Sequence, residues 1–379
     1  MDKVAEAPLA PVSTGGAVPE RRPDFDRAVV PILGLPFDAI TVDQAVQHIR
    51  SAAIAGRRCL VSTPNLNFAI AARKDQAFRD SILRSDLSLV DGMPLVWIAR
   101  WLGLPVPERV SGADVFEALQ AHEDPPLHIY LFGAPPGAAA AACERINARA
   151  GGLRCVGHDA GGFGSIESLS TDEHIARINR SGAHFVVVAL GAAKGQAWIE
   201  RNASRLHAPV LSHLGAVVNF AAGSLARAPR WMRRAGLEWA WRVKEEPGLW
   251  RRYASDGLKL GSLLVDHVIP DRFAVRIRPK PTTTPTGVAV STTDDATTIA
   301  LRGSWRGDVT AVRRALTECA EGENRVVFDL RGVSDVGAPF VALLMLANGW
   351  FRGRAGMTVV GVSQAVLCEF RRKMADHVL

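Results

Sequence analysis

Asp86-Leu-Ser-Leu-Val-Asp91-Gly92-Met-Pro94 is the stretch on which the reading of this chain turns. Leu87, Leu89 and Val90 have the composition of a short buried strand, and Asp91-Gly92 ends it at once. In an open α/β sheet, ligands collect beyond the carboxyl ends of the strands, so a carboxylate released there stands where chemistry is done. Asp-Gly is also a common turn pair, and a plain turn accounts for these two residues equally well. The flanking sequence has to decide.

Toward the N-terminus, residues 29–34 read as a strand, and Thr41-Val-Asp43 opens an amphipathic helix through Ala45, Val46, Ile49 and Ala52. Residues 58–62 form a second strand that ends in Thr63-Pro64-Asn65, with a helix following from residue 67. Two strands thus end in polar side chains, Thr63/Asn65 and Asp91, which could face one pocket. Toward the C-terminus, residues 94–102 read as an apolar helix, followed by Arg109-Val-Ser111-Gly-Ala-Asp114. Ser111 and Asp114 have capping-box spacing, so Ser111 is assigned to the cap and Arg109 is kept as an anion contact.

Strands over 128–132, 153–156, 184–190 and 210–212 alternate with helical stretches, the pattern of a mostly parallel α/β sheet. The loop Gly133-Ala-Pro-Pro-Gly137, between a strand and an Ala-rich helix, is a ready cradle for phosphate. The same glycines serve a plain βα turn, and neither a dinucleotide fingerprint nor a P-loop is present.

With 379 residues and 48% apolar content, the chain has room for two or three globular units. Residues 1–28 are rich in Pro, Ala, Gly and charge and are read as a disordered tail, neither signal peptide nor anchor. No apolar run is long enough to span a bilayer, so a cytoplasmic protein is expected. Cys59, Cys143, Cys155, Cys319 and Cys368 have neither metal-site spacing nor a disulfide pattern and are expected as buried thiols.

The texture changes at Arg227. Residues 227–252 carry eight Lys/Arg against three Glu, interleaved with tryptophans, with Met232, Gly236, Trp239 and Val243 on one helical face. That segment opens a basic helical appendage over 227–278. It suits either a helical cover for the core or a surface at an anionic membrane. Nucleic acid is set aside, because no recognised motif accompanies the charge. Residues 279–297 form a Pro/Thr-rich linker, and residues 298–379 a small α/β unit.

Taken together, Thr63-Pro-Asn65, Leu89-Val-Asp91-Gly92, Pro107-Glu-Arg109-Val-Ser-Gly112-Ala-Asp114, Arg227-Ala-Pro229-Arg-Trp231-Met, Gly236-Leu-Glu238-Trp239, Glu246-Pro247 and Arg251-Arg-Tyr253 resemble the WecG/TagA/CpsF family of bacterial glycosyltransferases, in order across residues 29–255. The resemblance implies a Rossmann-like glycosyltransferase core over 29–226. It implies inverting transfer of a sugar from a UDP-sugar to a polyprenyl-diphosphate-linked glycan acceptor, at the inner face of the cell membrane, in exopolysaccharide or related surface-glycan synthesis. It casts Asp91 as general base, with Thr63, Asn65, Gly92 and Gln196 in the pocket and Gly133 and Gly137 near the uridine diphosphate. Arg227, Arg242 and Arg251 match family positions that would neutralise the leaving group, beside Arg109 as anion contact. The family needs no metal or other cofactor, and no Asp-x-Asp pair is present here. The segment at Val218-Asn219 departs from the family's Phe-Asp, and Ala193-Lys194-Gly195-Gln196 from its Pro-x-Gln-Glu loop.

Residues 298–379 resemble a STAS-like module. The family's phosphoacceptor turn falls near Gly337-Ala338-Pro339-Phe340, where no hydroxyl remains, so a docking role toward a protein partner is expected instead. The rival to an active enzyme is an inactive glycosyltransferase-like scaffold that recruits partners through this module.

Overall fold

The computed structural model describes residues 17–123, 125–160, 164–277 and 285–379. Residues 1–16 of the expected tail and 279–284 of the expected linker lie outside the described residues.

β1 (Val29–Ile32) and β2 (Leu35–Asp38) pair antiparallel, with Ile32 opposite Leu35. A single strand over 29–34 is not what forms. Leu33 (φ 50°) and Gly34 (φ 84°) both take positive φ and turn the chain back, the geometry of a two-residue hairpin.

The main sheet is parallel throughout. It comprises β3 (Cys59–Ser62), β4 (Leu87–Ser88), β5 (Leu127–Gly133), β6 (Leu153–Asp159), β7 (Phe185–Ala189) and β8 (Val210–His213), in the order β4-β3-β8-β7-β5-β6. Helices cover both faces, so the central strands are continuously apolar rather than alternating. Along β7, Phe185 and Val187 enter one core cluster while Val186 and Val188 enter the other. From β3 the chain runs outward to β4, and from β5 outward to β6 on the opposite side. The carboxyl ends of β3, β8 and β7 therefore border the crevice where such sheets bind ligands.

The appendage is helical, as expected. Helices Arg230–Arg234 and Glu238–Glu245 are separate, with Gly236 at φ 73° between them. A Cβ at Gly236 would come within 2.7 Å of Trp97 and 2.9 Å of Met93, so this turn lies flat on helix Met93–Trp101 of the core. Further on, Leu263 and Val268 join the core cluster of Phe68, Phe78, Leu95 and Val96.

In the C-terminal unit, β9 (Gly287–Thr292), β10 (Ala296–Trp305), β11 (Arg325–Val336) and β12 (Met357–Val360) form a sheet in the order β12-β11-β10-β9. β9 lies inside the stretch expected as linker; it pairs on one side only, with β10, and is largely exposed, as an edge strand is. Helix Ala338–Phe351 is buried without interruption from Phe340 onward. It is wedged between its own sheet and the core elements β1, β2 and helix Gln76–Leu83. The approach is close: a Cβ at Gly349 would run into the Leu83 carbonyl, and one at Gly34 would stand 2.6 Å from the Met374 carbonyl oxygen.

Residues 17–28 depart from the expectation of a tail. Phe25 is 3% exposed and stacks on Phe351 with ring centroids 6.1 Å apart. Arg27 pairs with Asp38 at 2.6 Å in a buried ion pair. Cys143 and Cys155 also depart from the thiol expectation: they are joined as a disulfide with Cα atoms 5.2 Å apart. One lies on a helix and the other on β6, so no sequence spacing announces the pairing.

The C-terminal unit and the appendage meet at Lys373, whose Nζ lies 2.5 Å from Asp271 Oδ2 with the two side chains 5% and 2% exposed. Breaking a buried pair strands the remaining charge, a loss of about 3–5 kcal/mol, whereas an apolar pair of similar volume is tolerated. Lys373→Ala should therefore lower the unfolding free energy by about 3–5 kcal/mol in urea titrations followed by tryptophan fluorescence. The double replacement Lys373→Met with Asp271→Leu should recover most of it.

Candidate active site

The elements that deliver the site are short and locally fixed. Val90 is buried, the Asp91 N–H donates to the Pro64 carbonyl at 3.1 Å, and the Val110 N–H donates to the Val90 carbonyl at 2.9 Å. These bonds tie the β4 end to the two neighbouring loops. Gly92, at φ 123° and ψ 133°, turns directly into helix Met93–Trp101. A Cβ there would meet nothing closer than 3.8 Å, so the glycine is required by backbone conformation and not by space. Asn65 caps helix Leu66–Ala72 by accepting the Phe68 N–H at 3.2 Å. Ser111 caps helix Gly112–Ala121 by accepting the Asp114 N–H at 3.1 Å, as its spacing predicts.

These ends surround a cavity of about 900 Å³. Thr63, Asn65, Asp91, Gly92, Arg109 and Ser111 line it from the core, with the turn from His213 to Ala216 as a further wall. Arg233, Glu238, Trp239, Arg242, Trp250, Arg252, Tyr253 and Asp256 close it from the appendage. Asp256 is anchored to the core side by the Asn67 amide, which donates to it at 3.3 Å.

Asp91 is partly exposed to this space, and its carboxyl is pushed up to about 7. Burial is the main cause; Glu238 and Asp114 push in the same direction, while Arg109 and Arg227 pull against them. The guanidinium of Arg109 is itself held between Asp114, at 2.6 Å, and Glu238. Asp114 accepts from Arg227 and Arg233, both at 2.9 Å, and from the Ser111 hydroxyl at 2.6 Å. Burial disfavours its charge, yet these partners outweigh burial and hold its carboxyl below the ordinary value. A carboxylate that titrates near neutrality, in an open cleft beside a fixed cation, is equipped to accept a proton from a substrate.

Of the catalytic and substrate-binding candidates read from sequence, Thr63, Asn65, Asp91, Gly92, Arg109 and Arg242 come together at the cavity wall. The others do not line it, each for a visible reason. Gln196 is buried behind the wall, donating to the Ser62 hydroxyl at 2.7 Å. Gly133 ends β5 and Gly137 follows it, away from β3 and β4; Gly133 (φ 97°) backs onto the Ala189 carbonyl, and Gly137 (φ 80°) precedes helix Ala138–Asn147. Arg227 is drawn to Asp114 and to Glu117 at 2.7 Å, and Arg251 is exposed, 5.8 Å from the Trp250 ring centroid. Glu238, Arg233, Arg252 and His213 receive no site role from the sequence, Glu238 entering it only within the Gly236–Trp239 motif. The first three lie inside a dense run of charge where no single residue stands out. His213, closing a strand much as Asp91 follows one, carried a usable signal.

The WecG/TagA/CpsF glycosyl transferase family description matches residues 30–272. The N-acetylglucosaminyldiphosphoundecaprenol N-acetyl-beta-D-mannosaminyltransferase of Bacillus subtilis (strain 168) is 29% identical over 197 residues, covering 52% of this chain and 75% of the relative. Its namesake from Bacillus spizizenii is 25% identical over 228 residues, covering 59% and 86%. That from Staphylococcus aureus (strain MW2) is 25% identical over 228 residues, covering 59% and 87%. The matched span runs from the hairpin through the appendage and takes in every cavity-lining residue named above, so the chain belongs to the WecG/TagA/CpsF family of glycosyl transferases.

Proposed function

We propose that this protein is an inverting glycosyltransferase that moves a sugar from a UDP-sugar to a polyprenyl-diphosphate-linked N-acetylglucosamine acceptor, in exopolysaccharide or related surface-glycan synthesis. The observation that carries the proposal is Asp91, a carboxylate raised toward neutrality where a strand end opens into a large cleft. The relatives' names supply the acceptor class.

In the proposed reaction, Asp91 takes the proton from the acceptor hydroxyl as that oxygen bonds to the anomeric carbon. The bond from that carbon to the diphosphate oxygen breaks on the opposite face, which inverts the centre, and UDP departs. Arg242 and Arg252 at the appendage wall supply countercharge to the diphosphate. Thr63 and Asn65 orient the reacting groups. Arg227 and Arg251 belong to the frame of the appendage in this scheme, and Arg109 sets the field at Asp91.

Membrane attachment is proposed through the appendage and its surroundings. Trp231 and Trp250 are 64% and 56% exposed, and Leu258 is 80% exposed. Trp97 and Trp239 add aromatic surface near the cavity mouth, with the exposed cations Arg230 and Arg234 close by. Tryptophan and arginine together suit a lipid headgroup layer. No helix among the described residues is long and apolar enough to cross a membrane. The C-terminal unit is proposed as a STAS-like docking module. Its mixed sheet beneath helices supports that reading, and the helix that starts at Gly337-Ala338-Pro339-Phe340 carries no hydroxyl for phosphorylation.

Asp91→Asn should reduce kcat/KM by about 10²–10⁴-fold with UDP-sugar and lipid-linked acceptor. Wild-type turnover in that variant would remove the base assignment. The wild-type kcat/KM should rise with pH and level off above about 7, as the carboxyl ionises. Because the folded-state value lies above the unfolded one, the ionised carboxylate weakens the fold as pH rises through that interval. Asp91→Asn should therefore unfold at a higher temperature than wild type at pH 8, with no such gain at pH 4. For the membrane, Arg230→Ala with Arg234→Ala should weaken sedimentation with phosphatidylglycerol vesicles by roughly 30-fold, from about 1 kcal/mol per cation. Binding to phosphatidylcholine vesicles should be unchanged.

A further inference from the structure

The scheme above leaves the carboxyl end of β8 without a task. His213 closes that strand, next to the β3 end that carries Thr63, and lines the same cavity as Asp91. Its side chain is 7% exposed, and its Nε2 has no hydrogen-bond partner among the described residues. Buried polar atoms without partners are scarce in native proteins, and each asks for a reason.

The surroundings are fitted to the ring. A Cβ at Gly195 would run into His213 Cδ2, and one at Gly215 would stand 3.1 Å from Nε2. Gly195 lies inside helix Ala192–Asn202, an unfavourable place for glycine, and the imidazole fills the room a side chain would need. Phe68 lies across the ring at a centroid distance of 6.3 Å.

Burial alone pushes the imidazole down to about 4, so it is neutral at working pH and offers one N–H and one lone pair. A sugar hydroxyl donates and accepts and can answer either. A phosphate oxygen accepts and is better served by arginine. Strands in a sheet are about 4.8 Å apart, so the ends of β4 and β8, two positions apart, are separated by about 10 Å. That distance accommodates a pyranose ring with a hydrogen bond at each side. With Asp91 holding the acceptor hydroxyl at the β4 end, the donor sugar that this oxygen attacks extends from there toward β8.

We propose that His213 is a specificity residue that hydrogen-bonds a ring hydroxyl of the donor sugar, an assignment that rests on the transferase reading of the cavity. The test is calorimetric binding to the full-length protein of UDP, UDP-glucose, UDP-N-acetylglucosamine and UDP-N-acetylmannosamine. Wild type should bind at least one UDP-sugar about tenfold more tightly than UDP. His213→Phe, which keeps the ring, should lose that margin with UDP affinity unchanged, and His213→Gln should restore part of it. A packing role reverses this order, Phe rescuing and Gln failing, and would overturn the proposal. So would an equal loss for UDP and UDP-sugar. Should His213→Phe not fold, ¹⁵N-histidine NMR of wild type decides: the His213 Nε2 resonance must move with the bound UDP-sugar and stay in place with UDP. If wild type binds UDP but none of these UDP-sugars more tightly, the His213 assignment alone falls; if it binds neither UDP nor any UDP-sugar, the transferase reading falls and this assignment with it.

Discussion

The carboxylate of Asp114 is the point on which the site depends. It gathers three guanidiniums, Arg109 from the core and Arg227 and Arg233 from the appendage. Charges this far out of water persist in pairs, since a lone member is costly. The cluster therefore fixes where the appendage lies on the core. It also fixes the field at Asp91, because Glu238 reaches from the appendage to the same Arg109. Phe220 reinforces the joint, with Arg227 and Arg242 standing 5.6 and 5.5 Å from its ring centroid. Docking of the appendage and tuning of the carboxylate are thus one event. An arginine-rich cover whose cations were all free would have left Asp91 in a different field.

A similar economy holds at β4, which is two residues long and cannot hold its place by ladder bonds alone. Side-chain carboxylates complete it. Asp38 of the hairpin accepts the Ser88 N–H at 2.6 Å and is neutralised by Arg27. Asp86 accepts the Leu60 N–H at 2.8 Å and pairs with Arg21. The hairpin in turn rests on the buried helix Ala338–Phe351. A continuous path of packed elements thus connects the C-terminal unit with the strand end that releases Asp91. Such a path makes the unit part of the scaffold of the site, whatever else it binds.

What was legible in the sequence was local. Alternating apolar strands and capped helices reveal their periods within a dozen residues, so the parallel sheet and the polar strand ends at Thr63, Asn65 and Asp91 could be read directly. Long-range placement could not. The spacing of Ser111 and Asp114 announces a cap, and the cap is real, but it says nothing of the three arginines that Asp114 also holds. Leu33 at positive φ conceals a hairpin inside an apolar run. β9 is short and set among Pro and Thr residues, so it passes for linker, and residues 17–28 are polar enough to pass for tail, although Phe25 is locked in a core. Gly133, Gly137, Gln196, Arg227 and Arg251 sit at plausible sequence positions but off the cavity wall, a distinction that strand order and ion-pair competition make.

The pairing of Phe25 with Phe351 has a bearing on how the molecule is made. Arg313 fastens the same segment, donating to the Arg27 carbonyl at 3.0 Å across 286 residues of chain. On a ribosome adding about 5–20 residues per second, that interval lasts ~15–60 s. Throughout it, the hairpin and helix Gln76–Leu83 present to their surroundings the apolar surface that helix Ala338–Phe351 will later cover. The sheet can assemble meanwhile from its nearer contacts, but its flank stays open to chaperones and to other nascent chains until the final helices emerge. The earliest described segment of the polypeptide is among the last to find its place.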